Sequence, residues 1–152
     1  MDWRALYLSD QGRISRKTFW TAQLVLLGLV LMILLPILIL WSDEALSTPP
    51  ALGFRIFELV LAALLTWPSH AILAKRLQDR NNSPLWSKVY WGMWLVYYAI
   101  SVFAPMETRT GITPAGWIVG VPLLLLTFVL FVETGFRKGQ AHPNDYGDPP
   151  VE

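Results

Sequence analysis

The chain contains no cysteine. Disulfide frameworks and thiolate metal sites are therefore excluded at the outset. Its two histidines stand far apart, at His70 and His142. Neither belongs to a His-Glu or His-His spacing of the kind that holds zinc, so no metal or cofactor is expected. Charge is scarce too, at 15% of residues, where soluble domains carry roughly 25%. The formal net charge is only +1, which is no nucleic-acid signature, and nucleic acid is not an expected partner. There is no glycine-rich phosphate loop, and no serine or threonine stands in a pattern with a histidine and an acid. The composition therefore points away from an enzyme.

What is present is apolar sequence in long runs. Of the 152 residues, 54% are hydrophobic. Gln23 to Ser42, Leu59 to Ala74, Val89 to Met106 and Thr110 to Val132 carry no Asp, Glu, Lys or Arg. Crossing the roughly 30 Å of bilayer hydrocarbon takes about 17–25 apolar residues. Spans are expected near 19–41, 54–75, 86–105 and 114–134, with a tail over 137–152. The expectation is an all-α, integral membrane four-helix bundle forming one domain over residues 1–152. Polar or mixed sequence precedes the first run, and no small-residue cleavage site follows it, so it does not read as a cleavable signal peptide.

Helix starts are marked chemically. Ser15 can cap the first span, with Phe19-Trp20 and Trp41 near its two interfaces. Thr48-Pro49, Ser83-Pro84 and Thr113-Pro114 repeat one signal: a hydroxyl to take an orphan N–H, then a proline with none to leave unsatisfied. The helix that carries the second span should run from about Pro49 to Arg80 and project beyond the membrane at its far end. Pro36 and Pro68 lie inside spans. KGQAHPNDYGDPPVE at the end reads as turns.

Orientation follows from the flanking cations. Ten of the twelve Lys and Arg residues fall on one side of such a bundle: Arg4, Arg13, Arg16 and Lys17, then Lys75, Arg76, Arg80 and Lys88, then Arg137 and Lys138. Only Arg55 and Arg109 fall on the other. Both termini are expected to be cytoplasmic. The hairpin AKRLQDRNNSPLW, residues 74–86, is the densest mixture of charge. Asp79 there faces the negative end of a helix macrodipole and needs a compensating partner. Arg76 and Lys75 are within one turn, and Arg13 and Arg16 share the same membrane face.

Three segments, GRISRKTFW, AKRLQDRNNSPLW and PNDYGDPP, together resemble the signatures of the domain of unknown function 805 family of small bacterial inner-membrane proteins. The matching residues are Gly12, Arg13, Arg16, Phe19 and Trp20. In the hairpin they are Arg76, Leu77, Asp79, Arg80, Ser83 and Trp86, and in the tail Asn144, Tyr146, Gly147 and Pro149. Gln78 stands where the family pattern has His, and Pro84-Leu85 replaces a glycine-containing step. The resemblance implies bacterial inner-membrane residence and no particular activity. Resemblance and charge count place the three segments on one face. They are expected to pack as a polar clasp of Arg13, Arg16, Arg76, Asp79, Arg80, Asn144, Tyr146 and Gly147.

Other residues have simpler readings. Glu58 lies near the outer end of the second span, within reach of Arg55. His70 sits one turn from Thr66 with no carboxylate on its face and reads as a packing histidine. Glu133 faces Arg137 at i+4. Gly116 and Gly120 form a small-xxx-small step, expected to serve helix packing within the chain. Trp91, Trp94, Tyr97 and Tyr98 form one aromatic stripe. The leading functional expectation is a non-enzymatic membrane module whose clasp binds anionic lipid or a protein partner, with Arg80 and Lys88 as free cations. The alternative is an oligomeric transporter or channel subunit using Glu58 or His70. An interfacial enzyme ranks last.

Overall fold

The structure, a computed structural model, describes residues 2–40, 52–104, 106–108 and 111–150. Within them the chain is mostly helical: α1 (Trp3–Leu8), α2 (Arg16–Leu40), α3 (Leu52–Gln78), α4 (Leu85–Phe103) and α5 (Pro114–Gly135). A small antiparallel pair, β1 (Glu107–Thr108) and β2 (Gly111–Ile112), joins α4 to α5, with Glu107 opposite Ile112 and Thr108 opposite Gly111. The Thr48-Pro49 start, Trp41, the 42–47 loop and Arg109 lie outside the described residues.

Capping residues set the remaining boundaries. Ser15 Oγ accepts the Thr18 N–H at 3.2 Å, three residues into α2, which is the N-cap geometry. Thr113 Oγ accepts from Gly116 N at 3.1 Å, and Pro114 follows at the first helical position. Ser83-Pro84 is displaced by one residue. Pro84 occupies the cap position without a side-chain bond, while Ser83 Oγ takes the Leu85 N–H at 3.2 Å. α3 ends in a Schellman motif. Asn81 adopts φ +59°, Asn82 N bonds back to Leu77 O at 2.9 Å and Asn81 N to Gln78 O at 3.0 Å. Arg80 is thus the last half-helical residue, as expected.

The helix α1 is absent from the sequence reading. Asp2 caps it, accepting from Arg4 N and Ala5 N, and Leu6 buries it against the bundle.

Three helical segments are long and apolar enough to cross a membrane: Arg16–Ile33, Arg55–Gln78 and Pro114–Gly135. Their outward faces are apolar as well: Met32 on α2 is 70% exposed and Ile118 on α5 is 73% exposed. Water does not tolerate contiguous apolar surface on that scale, whereas hydrocarbon does. α3 is the hub, packing against α1, α2, α4 and α5. α4 runs back along it: Trp91 Nε1 donates to Thr66 Oγ at 3.1 Å, and Arg55 donates to the Ser101 and Val102 carbonyls at 3.3 and 3.1 Å.

Burial is concentrated at one end of the molecule. Every residue from His70 to Asp79 is buried. Leu6, Ile14, Phe19, Ala22, Ile72, Leu73, Leu77 and Leu130 form one cluster there. A helix enclosed on all sides in its last turns cannot leave its charges in water, so Lys75, Arg76 and Asp79 must find partners inside.

The positive φ at Asn81 gives a test of that helix end. A β-branched residue there pays about 1–2 kcal/mol for the left-handed conformation. Asn81→Val should lower the thermal midpoint in detergent micelles, while Asn81→Gly leaves it unchanged or raises it. Equal midpoints for the two variants would contradict the motif.

Candidate functional site

The clasp is built around Asp79, which is 2% exposed. Arg13 donates to its Oδ1 from Nε at 3.2 Å and Nη2 at 3.1 Å. Arg76 pairs with Oδ2. Of the four cations considered from sequence, these two engage the carboxylate. Arg13 places both donors on one oxygen instead of forking across two, which leaves the other oxygen to Arg76.

Two guanidiniums against one carboxylate leave a surplus of one positive charge. Backbone carbonyls absorb it. Arg13 also donates to His142 O at 3.0 Å, Gly147 O at 2.8 Å and Gln140 O at 2.5 Å. Arg76 donates to Thr134 O at 2.9 Å, Ile14 O at 3.3 Å and Arg137 O at 2.6 Å.

These carbonyls form a pattern. The last C=O groups of a helix have no partner inside it and carry its negative pole. At the end of α5, five consecutive carbonyls are met from elsewhere in the chain. Glu133 O receives Arg80 at 2.9 Å and Thr134 O receives Arg76. Gly135 O receives Trp20 Nε1 at 3.0 Å and Phe136 O receives Arg16 at 3.2 Å. Arg137 O receives the other arm of Arg76. Other helix ends are treated the same way. Lys75 Nζ bonds Ala5 O and, at 2.8 Å, Leu6 O at the end of α1. Asn144 Nδ2 bonds Gln78 O at 2.9 Å at the end of α3.

The tail is docked. Asn144 and Gly147 exchange backbone bonds at 3.1 and 3.0 Å across a tight turn, with Gly147 at φ +112°. Tyr146 enters through its N–H, donated to Asn144 Oδ1 at 2.9 Å. Gln140 N donates to Asp79 O at 2.9 Å. Gly139 passes so close that a Cβ there would fall on the Asp79 carboxylate. The sequence reading missed this glycine: nothing in KGQAHPND distinguishes a turn glycine from one that a distant carboxylate requires.

Around this centre lies a second ring. Glu133 pairs with Arg80 at 2.6 Å and Arg137 at 2.9 Å, and accepts from Asn82 Nδ2 at 2.7 Å. Lys88 pairs with Asp10 at 3.3 Å. Arg80 and Lys88 are thus engaged, where the sequence suggested free cations. Gln78 Nε2 donates to Asp10 O at 2.8 Å, tying the N-terminal segment to α3. Tyr7 donates to Ala22 O at 3.4 Å, and burial pushes its phenol pKa up from the ordinary value.

The remaining candidates lie elsewhere. His70 packs against the rings of Trp67 and Trp91, at centroid distances of 5.0 and 5.9 Å, in a triangle closed by the two tryptophans at 5.3 Å, and its Nδ1 has no hydrogen-bond partner among the described residues. The side chain of Glu58 lies outside the described residues. Gly116 packs against the Met106 carbonyl and the Ile112 side chain, and Gly120 has open space beside it. The small-xxx-small step therefore seats the β1–β2 connection instead of a neighbouring helix. Among the described residues, no group of three or more His, Cys, Asp or Glu side chains is placed to hold a metal ion.

Two substitutions test the clasp. Asp79→Asn keeps the shape but leaves two guanidiniums uncompensated, and should cost about 3–5 kcal/mol in unfolding free energy. Gly139→Ala should push the tail off Asp79 while leaving α1 to α5 in place. Trypsin would then cut after Arg137 or Lys138 several times faster than in the parent, with unchanged far-ultraviolet circular dichroism; an unchanged cleavage rate would refute the docked tail.

Comparison with known proteins covers most of the chain. The family described as protein of unknown function DUF805 matches residues 7–148, from α1 to the docked tail. The uncharacterized protein YiiR of Escherichia coli K12 is 30% identical over 145 residues, covering 91% of this chain and 84% of that protein. YiiR of Escherichia coli O157:H7 matches to the same extent. No solved structure matches. The match takes in all three polar segments and every helix between them, and the chain belongs to the DUF805 family.

Proposed function

We propose that this is a non-enzymatic, four-span protein of a bacterial inner membrane. Both termini are cytoplasmic, and the clasp locks the ends of the bundle together and presents its residual positive charge to anionic lipid. The observation that carries the reading is the convergence of the N-terminal segment, the α3 end and the tail on Asp79 at a single end of the helices.

Three helices qualify as spans by length and composition. The case for α4 as the fourth comes from its pairing with α3. Arg55, near the start of α3, reaches Ser101 and Val102 at the end of α4, and Thr66 meets Trp91 midway. A helix so aligned with a spanning neighbour traverses the same depth. Its aromatic residues suit a helix that meets both neighbours and interface. With four spans the N-terminal segment and the tail fall on one side, as their contacts require. Ten cations against two then set that side as cytoplasmic.

Anionic lipid fits the same end. Each juxtamembrane Lys or Arg near an anionic leaflet contributes about 1 kcal/mol. Most of the clasp's cations are engaged by carboxylates and carbonyls, so attraction comes from the few at its rim. A transport role for His70 gains no support from a ring packed in an aromatic cluster with Trp67 and Trp91.

The lack of cysteine makes the topology directly measurable. Single cysteines at Ser9→Cys, Ile112→Cys and Ala141→Cys should split into two groups under a membrane-impermeant maleimide. Ile112→Cys labels in spheroplasts, and the other two label only after permeabilisation. Labelling of Ser9→Cys and Ala141→Cys from opposite sides would overturn the four-span reading.

A further inference from the structure

Pairing accounts for most cations at the clasp end: Arg13 and Arg76 by Asp79 and carbonyls, Arg80 and Arg137 by Glu133, Lys88 by Asp10, and Lys75 by the α1 carbonyls. Arg4, Arg16, Lys17 and Lys138 are exposed and in no ion pair among the described residues, and of these four Arg16 and Lys138 line a recess. Arg16 is exposed and makes one described bond, to Phe136 O at 3.2 Å. Lys138 is exposed, and neither residue is in an ion pair among the described residues.

These two residues border the same recess of about 490 Å³, whose floor is the Arg76–Asp79 pair and whose far wall is the Pro149–Pro150 arm. Its volume is in the range of small-molecule sites, roughly 300–1,000 Å³. The charge within it is positive. Arg16, Arg76 and Lys138 face a single carboxylate, and that carboxylate is already shared by two guanidiniums. The recess also adjoins Ser15 at the start of α2, whose positive pole opposes the negative ends of α3 and α5 there. Planar guanidinium and mobile ammonium together suit a tetrahedral oxyanion, one by paired N–H donors and the other as a point charge.

We infer that this recess is a binding site for a phosphate-ester anion, held by Arg16 and Lys138. The inference rests on the anionic-lipid reading above and locates it at one pocket. The chemistry is shared by a phospholipid headgroup and a soluble phosphate ester. The position favours neither by charge alone, but the recess opens at the ends of α2 and α5, where headgroups lie.

The test is native mass spectrometry in lipid discs containing phosphatidylglycerol and phosphatidylcholine, paired with glycerol phosphate titration in lipid-free detergent. Parent protein, Arg16→Gln, Lys138→Gln, the double variant and Lys17→Gln, an exposed cation outside the recess, are compared. The expected result is retention of one phosphatidylglycerol by the parent, weakened roughly fivefold for each rim cation removed and unchanged in Lys17→Gln. Arg16→Lys should keep most of the retention. Saturable glycerol phosphate binding with the same residue dependence, and no lipid retained, would support the site and assign it a soluble ester. Phosphatidylglycerol retained equally by the double variant would overturn the site while leaving lipid binding by the protein intact. Neither ligand binding the parent would overturn both. Because Arg16 and Lys138 are exposed, an unchanged far-ultraviolet circular dichroism spectrum and thermal midpoint in the variants separate lost binding from lost folding.

Discussion

One buried carboxylate shared by two guanidiniums holds this molecule together. Asp79 alone at the C-terminal end of α3 would oppose the helix dipole and sit desolvated. Arg76 alone would be a buried cation a turn away. Together they neutralise each other locally, but with their outer hydrogen-bonding capacity unmet. Arg13 joins from the N-terminal segment, and the excess charge it brings is met by carbonyls from three stretches of chain. A buried ion pair returns its desolvation cost only when every remaining donor is satisfied. Here that condition dictates where the tail runs.

The carbonyls at the end of α5 supply the other half of the argument. Five in succession run from the last turn of α5 into the turn beyond it, and five donors from α2, α3 and the turn after α3 meet them. Helix ends in water are satisfied by solvent. Under the docked tail, solvent is displaced and side chains replace it. Arginine suits the role because its planar fork reaches several acceptors at once, as Arg76 does at Thr134, Ile14 and Arg137.

Much of this was legible in the amino-acid sequence. Hydroxyl caps at Ser15 and Thr113 act where their residue types predict. The dipole argument at Asp79 correctly demanded a partner, and the turn-forming residues Asn144 and Gly147 do form a turn. What the sequence hid has a common cause. Backbone carbonyls carry no residue-type signal, so the acceptors for Arg13, Arg16 and Arg76 could not be read from side chains. The six residues of α1 are too few to show a period, leaving Asp2 as the sole hint. Arg80 and Lys88 looked free because their partners, Glu133 and Asp10, lie on other segments. Gly116 was read for helix packing because its loop partner, Met106, has no pattern linking it to a glycine ten residues on.

The span of chain that closes the clasp has a consequence for how the protein is made. Arg13 reaches Gly147, 134 residues away. During synthesis Arg13 emerges early, and its partners in the tail emerge only when almost the whole polypeptide has left the ribosome. Arg76 and Asp79, three residues apart, can neutralise each other meanwhile. A chain cut before the tail would keep its long apolar helices but leave Arg13 without its acceptors at Gln140, His142 and Gly147. The docked tail is thus a chemical difference between finished and unfinished copies.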